Sequence, residues 1–219
     1  MGSMLFVLTG LLLLAVCWPD TVIAAAPAVE VTCGSVIKLM HERTKFRLHS
    51  HEVAYGSGSG QQSVTAFPSG DDSNSYWSVH GPHDAECAQG EAFKSGSVVR
   101  FQHMATKRWL HSHLHLSPLS QNYEVSGFGD DNQSDGGDHW RVEVNGGGMW
   151  LKDSGVRFQH VETGGWLHSA ADRRYGRPIA GQQEVCGHRK KSENALWKAA
   201  EGTYMPRSAS IGSPEHGEL

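Results

Sequence analysis

The sequence VVRFQHMATKRWLHS, at residues 98–112, occurs in three related copies along the chain. The other two copies are VIKLMHERTKFRLHS at residues 36–50 and GVRFQHVETGGWLHS at residues 155–169. In every copy a threonine follows the first histidine by three residues, and a Leu-His-Ser triplet ends the pattern. A unit of roughly sixty residues is therefore repeated three times, which predicts a fold with pseudo-threefold symmetry.

Each copy has the pattern of a β-hairpin. Its first segment is rich in β-branched and aromatic residues, and a short polar stretch separates it from a second segment in which apolar and polar side chains alternate. We expect the leucine of each Leu-His-Ser triplet to face the core and the histidine after it to face the other way. A tryptophan at a nearly constant distance marks a later strand in each unit: Trp77, Trp140 and Trp197. About four short strands per unit, without a convincing amphipathic helix, predict an all-β closed fold.

The beginning of the chain resembles a secretory signal. Residues 4–18 form a nearly unbroken apolar run, and Ala24-Ala25-Ala26 fits a small-residue cleavage site. We interpret residues 1–26 as a signal peptide, with a buried N-terminal helix as the alternative. The run is shorter than the about 20 apolar residues that a membrane span requires, so no span is expected.

Composition gives little sign of a charged partner. The 219 residues carry a formal net charge of −4. Such mild acidity supplies no electrostatic footprint for nucleic acid or for anionic lipid.

Three of the four cysteines follow the predicted signal peptide: Cys33, Cys87 and Cys186. An oxidising compartment favours one bridge and one free thiol. We favour a bond between Cys33 and Cys87, because it would join the two ends of the first unit. Three reduced, buried cysteines are the alternative.

The chain ends with His216-Gly217-Glu218-Leu219, which is similar to the retrieval signals of proteins in the lumen of the endoplasmic reticulum. Gly217 departs from the common form, which has an acidic residue at that position. The tail over residues 205–219 is predicted to be flexible. We expect residence in the endoplasmic reticulum lumen, with secretion as the alternative.

Metal and modification motifs are weak. His111, His113 and His115 alternate along one strand, where successive imidazoles lie too far apart for all three to converge on one zinc ion, and we interpret them as structural. The acid-rich segment 129–138 resembles a calcium loop, but the glutamate that such a loop needs at its twelfth position is missing, so a solvated, flexible insert is expected. No metal site is predicted. Asn132 begins the only N-glycosylation sequon.

Catalytic motifs are equally weak. Cys186 lies near His188 in sequence, but such neighbours rarely have the geometry of a nucleophile and its base. Carboxylates are scattered, and none recurs in all three units. We therefore predict neither an enzyme nor a cofactor.

The units resemble MIR repeats, which are named for mannosyltransferases, inositol trisphosphate receptors and ryanodine receptors, and which form a β-trefoil. The chain is more closely similar to the stromal cell-derived factor 2-like proteins. The segments that carry this resemblance are TCGSV at 32–36, RLHSH at 47–51, YGSGSGQQSV at 55–64, DDSNSYW at 71–77, SPLS at 117–120 and YGRPI at 175–179.

The resemblance implies a β-trefoil of three MIR repeats over residues 28–86, 90–149 and 150–204. It also implies a non-catalytic accessory of luminal protein quality control, which binds a J-domain co-chaperone, a heat-shock-70-class chaperone through it, and misfolded secretory proteins. A carbohydrate-binding module is the alternative, because sugar pockets combine an exposed aromatic ring with Asp, Asn or Gln. The hairpin aromatics Phe46, Trp109 and Trp166 are expected to cap the barrel instead.

Overall fold

The computed structural model describes residues 27–208, and most of the regular structure in that part of the chain is β-strand. The twelve strands are β1 (Val36–His41), β2 (Arg47–Ala54), β3 (Gln62–Phe67), β4 (Trp77–His80), β5 (Val98–His103), β6 (Trp109–Leu116), β7 (Tyr123–Phe128), β8 (Trp140–Val144), β9 (Gly155–His160), β10 (Trp166–Arg174), β11 (Gln183–His188) and β12 (Trp197–Thr203). Short 3₁₀ helices at Ser73–Ser75, Gly136–Asp138 and Glu193–Ala195 precede β4, β8 and β12. The prediction of an all-β fold is confirmed.

Strand pairing closes the sheet on itself. Antiparallel pairs link β1 to β4, β4 to β5, β5 to β8, β8 to β9, β9 to β12 and β12 back to β1. The remaining strands form the hairpins β2–β3, β6–β7 and β10–β11. The last strands of these hairpins, β3, β7 and β11, also pair with one another. This closure protects most sheet edges from pairing with another chain.

Equivalent residues of the three units meet in one core. The leucines of the Leu-His-Ser triplets, Leu48, Leu110 and Leu167, are fully buried. So are the strand tryptophans, which are among the largest side chains of the core. Burial of these apolar surfaces is the main favourable contribution to folding.

Each strand tryptophan also ties two segments of its own unit together. Nε1 of Trp140 donates to the carbonyl oxygen of Leu110 at 2.8 Å. Trp77 and Trp197 make the equivalent bonds at 3.0 and 2.9 Å. Since the acceptor carbonyls are buried, the indole N–H groups are needed to satisfy them.

The first histidine of each hairpin links neighbouring units. Nε2 of His103 donates to the carbonyl oxygen of Asn74, in the preceding unit, at 2.8 Å. Nδ1 of His103 accepts from the amide of Thr106 at 3.3 Å. His41 and His160 make the equivalent inter-unit bonds to the carbonyl oxygens of Asn194 and Gly137. The repeated histidines and threonines thus form a ring of contacts that joins all three units.

Trp140→Phe should lower the free energy of unfolding by about 1–3 kcal/mol, because it leaves the buried Leu110 carbonyl without a donor. Urea denaturation measures the change. Trp150→Phe is the matched control, since Trp150 is also fully buried and its indole N–H has no hydrogen-bond partner in residues 27–208. An equal loss of stability in both variants would contradict the role given to the Trp140 N–H group.

The first four residues of the predicted flexible tail contact the first half of the chain. The amide of Met205 donates to Oγ of Ser35 at 3.1 Å, and the amide of Ser208 donates to the carbonyl oxygen of Gly90 at 3.1 Å. Residues 205–208 are therefore fixed against the first half of the chain. The predicted signal peptide, 1–26, and the retrieval signal at 216–219 lie outside the described residues.

Candidate binding surfaces

The second histidine of the first two hairpins belongs to the structural framework. Nδ1 of His49 lies 2.8 Å from Oδ2 of Asp72, and its ring stacks on Phe67 with centroids 5.0 Å apart. Nδ1 of His111 lies 2.9 Å from Oδ1 of Asp138. These contacts agree with the structural interpretation of the repeated histidines.

The interpretation of residues 129–138 as a flexible, solvated insert is right about solvation for residues 130–133, which are exposed, but it is wrong for the end of the segment. Asp138 is fully buried, and its Oδ2 accepts from Oγ of Ser134 and from the amide of Asp135, at 2.8 and 2.9 Å. Trp109 adds a bond from Nε1 to the Asp130 carbonyl oxygen at 2.8 Å. These hydrogen bonds hold the end of the segment in place, with the Asp138 carboxylate beside the buried imidazole of His111.

The third unit lacks this arrangement. His168 has no carboxylate partner in the described part of the chain, and its ring stacks on His188 at 4.7 Å, where the other two units have a phenylalanine. Burial, and then the neighbouring His188, lowers the pKa of His168 to about 4. A cavity of about 290 Å³ lies beside the two rings, and it is lined by polar groups that include Ser120, Asn122, Asp172, Glu184 and Asn194.

Cys186, the free cysteine, lines this cavity but is 2% exposed. Its Sγ lies 3.9 Å from Nδ1 of His168. Burial raises the pKa of the thiol to about 12. Cys186 is therefore a protonated thiol near neutral pH, and it is poorly suited to act as a nucleophile.

The second unit exposes large apolar side chains where the other units have small or charged ones. Leu114 and Leu116, at the end of β6, are 72% and 47% exposed. Alignment through the strand pairing places Ala54 of the first unit and Arg174 of the third at the position of Leu116. The register with β7 is irregular between Ser112 and Leu116, so this stretch of β6 leaves the regular ladder.

A buried charge network fixes the strand that carries these leucines. Nε2 of His113 lies 2.8 Å from Oε1 of Glu124, whose side chain is fully buried, and Oγ of Ser59 donates to the same oxygen. Burial alone would raise the pKa of the Glu124 carboxyl, but the hydrogen bonds from His113 and Ser59 lower it. The leucines therefore project from a strand end that the first unit also holds in place.

The histidines of β6 do not converge on one metal. The rings of His111, His113 and His115 follow one another with centroids 5.2 and 4.8 Å apart. Ring nitrogens of His111 and His113 already hydrogen-bond to the carboxylates of Asp138 and Glu124. Asp135 also approaches His111, at 3.7 Å, but Asp138 uses both of its oxygens within the protein.

The remaining predicted residues lie as follows. Cys33 and Cys87 form a disulfide with a Cα–Cα distance of 6.1 Å. Asn132 is exposed, and its backbone amide donates to Oδ1 of Asp130 at 2.8 Å. Of the hairpin aromatics, Trp109 is 5% exposed and packs under Arg100, while Phe46 and Trp166 are half-buried.

Comparison with known proteins decides the family. The model of the MIR domain family matches residues 46–199, which include parts of all three units. The chain belongs to the MIR domain family. A "Stromal cell-derived factor 2-like protein" of Arabidopsis thaliana is 59% identical over 83% of this chain and 84% of its own length. The resemblance to the stromal cell-derived factor 2-like proteins is therefore confirmed, and the chain is a member of that group of MIR domain proteins.

Solved structures agree with this assignment. The crystal structure of the SDF2-like protein from Arabidopsis thaliana has a TM-score of 0.81 and covers 83% of this chain and 100% of its own. A structure of the protein O-mannosyltransferase Pmt1-Pmt2 complex of S. cerevisiae, bound to the sugar donor, has a TM-score of 0.73 at 26% identity. The match to the yeast complex covers 87% of this chain but only 29% of that one, so it concerns a part of a much larger protein.

Within residues 27–208, no helix has the length and apolar character needed to cross a bilayer.

The exposed leucines and the third-unit cavity were missed by the sequence analysis. The signal for the leucines was present, because HLHL at residues 113–116 has no counterpart in the other copies of the repeat. The cavity gave no comparable signal. It forms because His188 and Cys186 of β11 come to lie beside His168 of β10, and only the strand pairing brings them together.

Proposed function

We propose that this protein is a non-enzymatic accessory of protein quality control in the lumen of the endoplasmic reticulum. It binds a J-domain co-chaperone, and through it a heat-shock-70-class chaperone, and it presents misfolded secretory proteins to this complex. Membership of the stromal cell-derived factor 2-like group supports the proposal. The scaffold is a β-trefoil of three MIR repeats, over residues 28–86, 90–149 and 150–204, which the threefold recurrence of the tryptophan and histidine contacts supports.

The proposed location in the lumen is supported by sequence features at the two ends of the chain. Residues 1–26 have the composition of a signal peptide, and His216-Gly217-Glu218-Leu219 is similar to a retrieval signal. The disulfide between Cys33 and Cys87 suits an oxidising compartment.

The observation that carries the binding function is the pair of exposed leucines. Leu114 and Leu116 project beside the polar His113 and His115 at the end of β6. Apolar side chains within a polar surround are typical of protein contacts, where the central side chains supply most of the binding energy. The occupant that we propose for this surface is the J-domain co-chaperone.

A double variant, Leu114→Asp with Leu116→Arg, tests the proposal. It places at the end of β6 the residue types of Asp172 and Arg174, which occupy the end of β10. The variant, with its C-terminal tail intact, is captured by affinity purification from lumen extract. The co-purified J-domain co-chaperone is then quantified by mass spectrometry. We expect the co-chaperone and the heat-shock-70-class chaperone to be lost together.

Val161→Ala is the matched control, since Val161 is another apolar side chain, 41% exposed, on the third hairpin. It should leave co-purification unchanged. Unchanged capture by the double variant, with an unchanged melting temperature, would contradict the proposed surface.

The cavity of the third unit favours carbohydrate binding as a second candidate function. Asp172 and Asn194 line it beside the stacked rings of His168 and His188, a combination of carboxylate, amide and flat ring that suits sugar hydroxyls. The similarity to the yeast mannosyltransferase complex points the same way. A glycan array tests this second function. Glycan binding that is lost in Asp172→Asn and kept in the leucine variant would support it. A wild-type chain that binds no glycan would contradict it.

A further inference from the structure

Two histidines and an aspartate from distant segments meet outside both surfaces described above. Nδ1 of His83 lies 2.8 Å from Nε2 of His139, and one ligand atom each of His83, Asp84 and His139 lie within 4.8 Å of one another. His83 and Asp84 belong to the loop after β4, whereas His139 directly follows the 3₁₀ helix of the second unit. The carboxylate of Asp84 has no hydrogen-bond or ion-pair partner among residues 27–208.

The hydrogen bonds show how the lone pair of His139 is directed. The backbone amide of His83 donates to Nε2 of His139 at 3.2 Å. Because a backbone N–H group can only donate, Nε2 must be unprotonated and must direct its lone pair at the His83 loop. A ring nitrogen with its lone pair directed at the cluster is what a metal ion requires.

Both sides of the cluster are held by the fold. The backbone of His139 is fixed at its two ends, since its amide donates to Gly136 and its carbonyl oxygen accepts from Val161, at 3.2 and 3.0 Å. On the other side the loop is anchored at Gly81, whose carbonyl oxygen accepts from Nε of Arg100 at 2.7 Å. It is anchored again at Cys87 by the disulfide.

Carboxylates outnumber cations around the cluster. Arg100 is the nearby cation, and its charge is opposed by Asp138, by Glu86, whose carboxylate lies 3.9 Å from its guanidinium, and by Asp84 itself. Nη1 of Arg100 is bound to Oγ of Ser134 at 2.7 Å and so is held by the second unit. A divalent cation would therefore add its charge next to carboxylates as well as next to Arg100.

We propose that Nδ1 of His83, the carboxylate of Asp84 and Nε2 of His139 form a zinc site that joins the first unit to the second. Zinc takes nitrogen and oxygen ligands at about 2.0–2.2 Å in a tetrahedral arrangement, which separates neighbouring ligand atoms by about 3.3 Å. The two histidine nitrogens need to part by only about half an ångström to reach that separation. The ion replaces the proton between the two rings: this proton leaves Nδ1 of His83, Nε2 of the same ring takes up a proton from solvent so that His83 stays a neutral ligand, and water fills the fourth position.

Zinc titration of the tag-free, disulfide-intact protein tests this site. Isothermal titration calorimetry should show one equivalent of Zn²⁺ bound per chain, with a rise in melting temperature. Cobalt(II) in place of zinc should give the strong visible absorption of a tetrahedral site. His83→Gln, Asp84→Asn and His139→Gln should each weaken zinc binding at least about tenfold, since each removes one of three protein ligands.

His115→Gln is the matched control, because His115 is an exposed histidine on β6 that lies outside the cluster. It should bind zinc as the wild-type chain does. If the wild-type chain binds zinc no more tightly than the His83→Gln variant, the site is overturned. If Asp84→Asn binds zinc as tightly as the wild-type chain, the three-ligand set is overturned. Circular dichroism of each variant separates a lost ligand from a lost fold.

Discussion

Acidification from about pH 7.5 to about pH 5.5 is expected to destabilise the protein progressively through its buried hairpin histidines. Burial, as the largest cause, lowers the pKa of His41 and His103 below the ordinary value of 6.5, and that of His160 to about 4. The unfolded chain therefore takes up protons below pH 6.5 that the folded chain does not bind. Stability is complete above that pH and is lost as the pH falls toward about 4, where His160 is itself protonated in the fold.

The size of this effect follows from the pKa shifts. One pKa unit corresponds to about 1.4 kcal/mol, so the shift of His160 alone accounts for about 1.4 kcal/mol by about pH 5.5 and about 3 kcal/mol by about pH 4. A second proton on the His160 ring would break a hydrogen bond. Nε2 already donates to the Gly137 carbonyl oxygen, and Nδ1 accepts from the amide of Thr163.

Urea denaturation at a series of pH values measures the effect. His160→Gln should be less stable than the wild-type chain near pH 7.5 but should lose less stability on acidification. His115→Gln, an exposed histidine, should keep the full pH dependence. A free energy of unfolding that stays constant between about pH 7.5 and about pH 5.5 would contradict the account of these histidines.

Replacement of Cys33 and Cys87 by alanine should lower the free energy of unfolding by about 4 kcal/mol. The bond closes a loop between residues that are 54 positions apart, and without it the unfolded chain regains the conformational entropy of that loop. Sγ of Cys87 also accepts a hydrogen bond from the Gly81 amide at 2.9 Å.

Denaturation of the double variant and of the wild-type chain, with and without reductant, measures this contribution. Cys186→Ala is the control, because its thiol is free and buried. It should lose less stability than the disulfide variant, and only the wild-type chain and Cys186→Ala should respond to reductant. A disulfide variant as stable as the oxidised wild-type chain would contradict the prediction.

The repeated residues made the framework predictable from the sequence. Leu110, Trp140 and His103 recur in each unit at nearly constant spacing, and a residue that recurs in this way has the same neighbours in every unit. The same reasoning predicted a structural role for His111, which recurs as His49 and His168. It failed for Asp138, because the carboxylate that serves His111 does not occupy the sequence position of Asp72, which serves His49.

The features that distinguish the units depend on contacts that spacing does not encode. His83 and His139 lie in different units, and they meet only because β4 pairs with β5 and β5 with β8. The third-unit cavity arises in the same way from the pairing of β10 with β11. Leu114 and Leu116 differ from these cases, since a comparison of the strand ends alone would have identified them.

The residues that the three units share form the scaffold, and we propose that the unshared ones bind partners. The hairpin histidines and the strand tryptophans hold three similar units together. The leucines of the second unit and the polar cavity of the third are then free to differ. Separate variants of the two surfaces should accordingly change binding without a common loss of stability.

Direct titration of the purified J-domain co-chaperone with this protein tests the claim that the leucines of β6 bind this partner. Isothermal titration calorimetry should give binding that the Leu114→Asp, Leu116→Arg variant weakens at least about tenfold, equivalent to about 1.4 kcal/mol, while Val161→Ala leaves it unchanged. Equal affinity of the wild-type chain and the leucine variant, both folded, would contradict the claim.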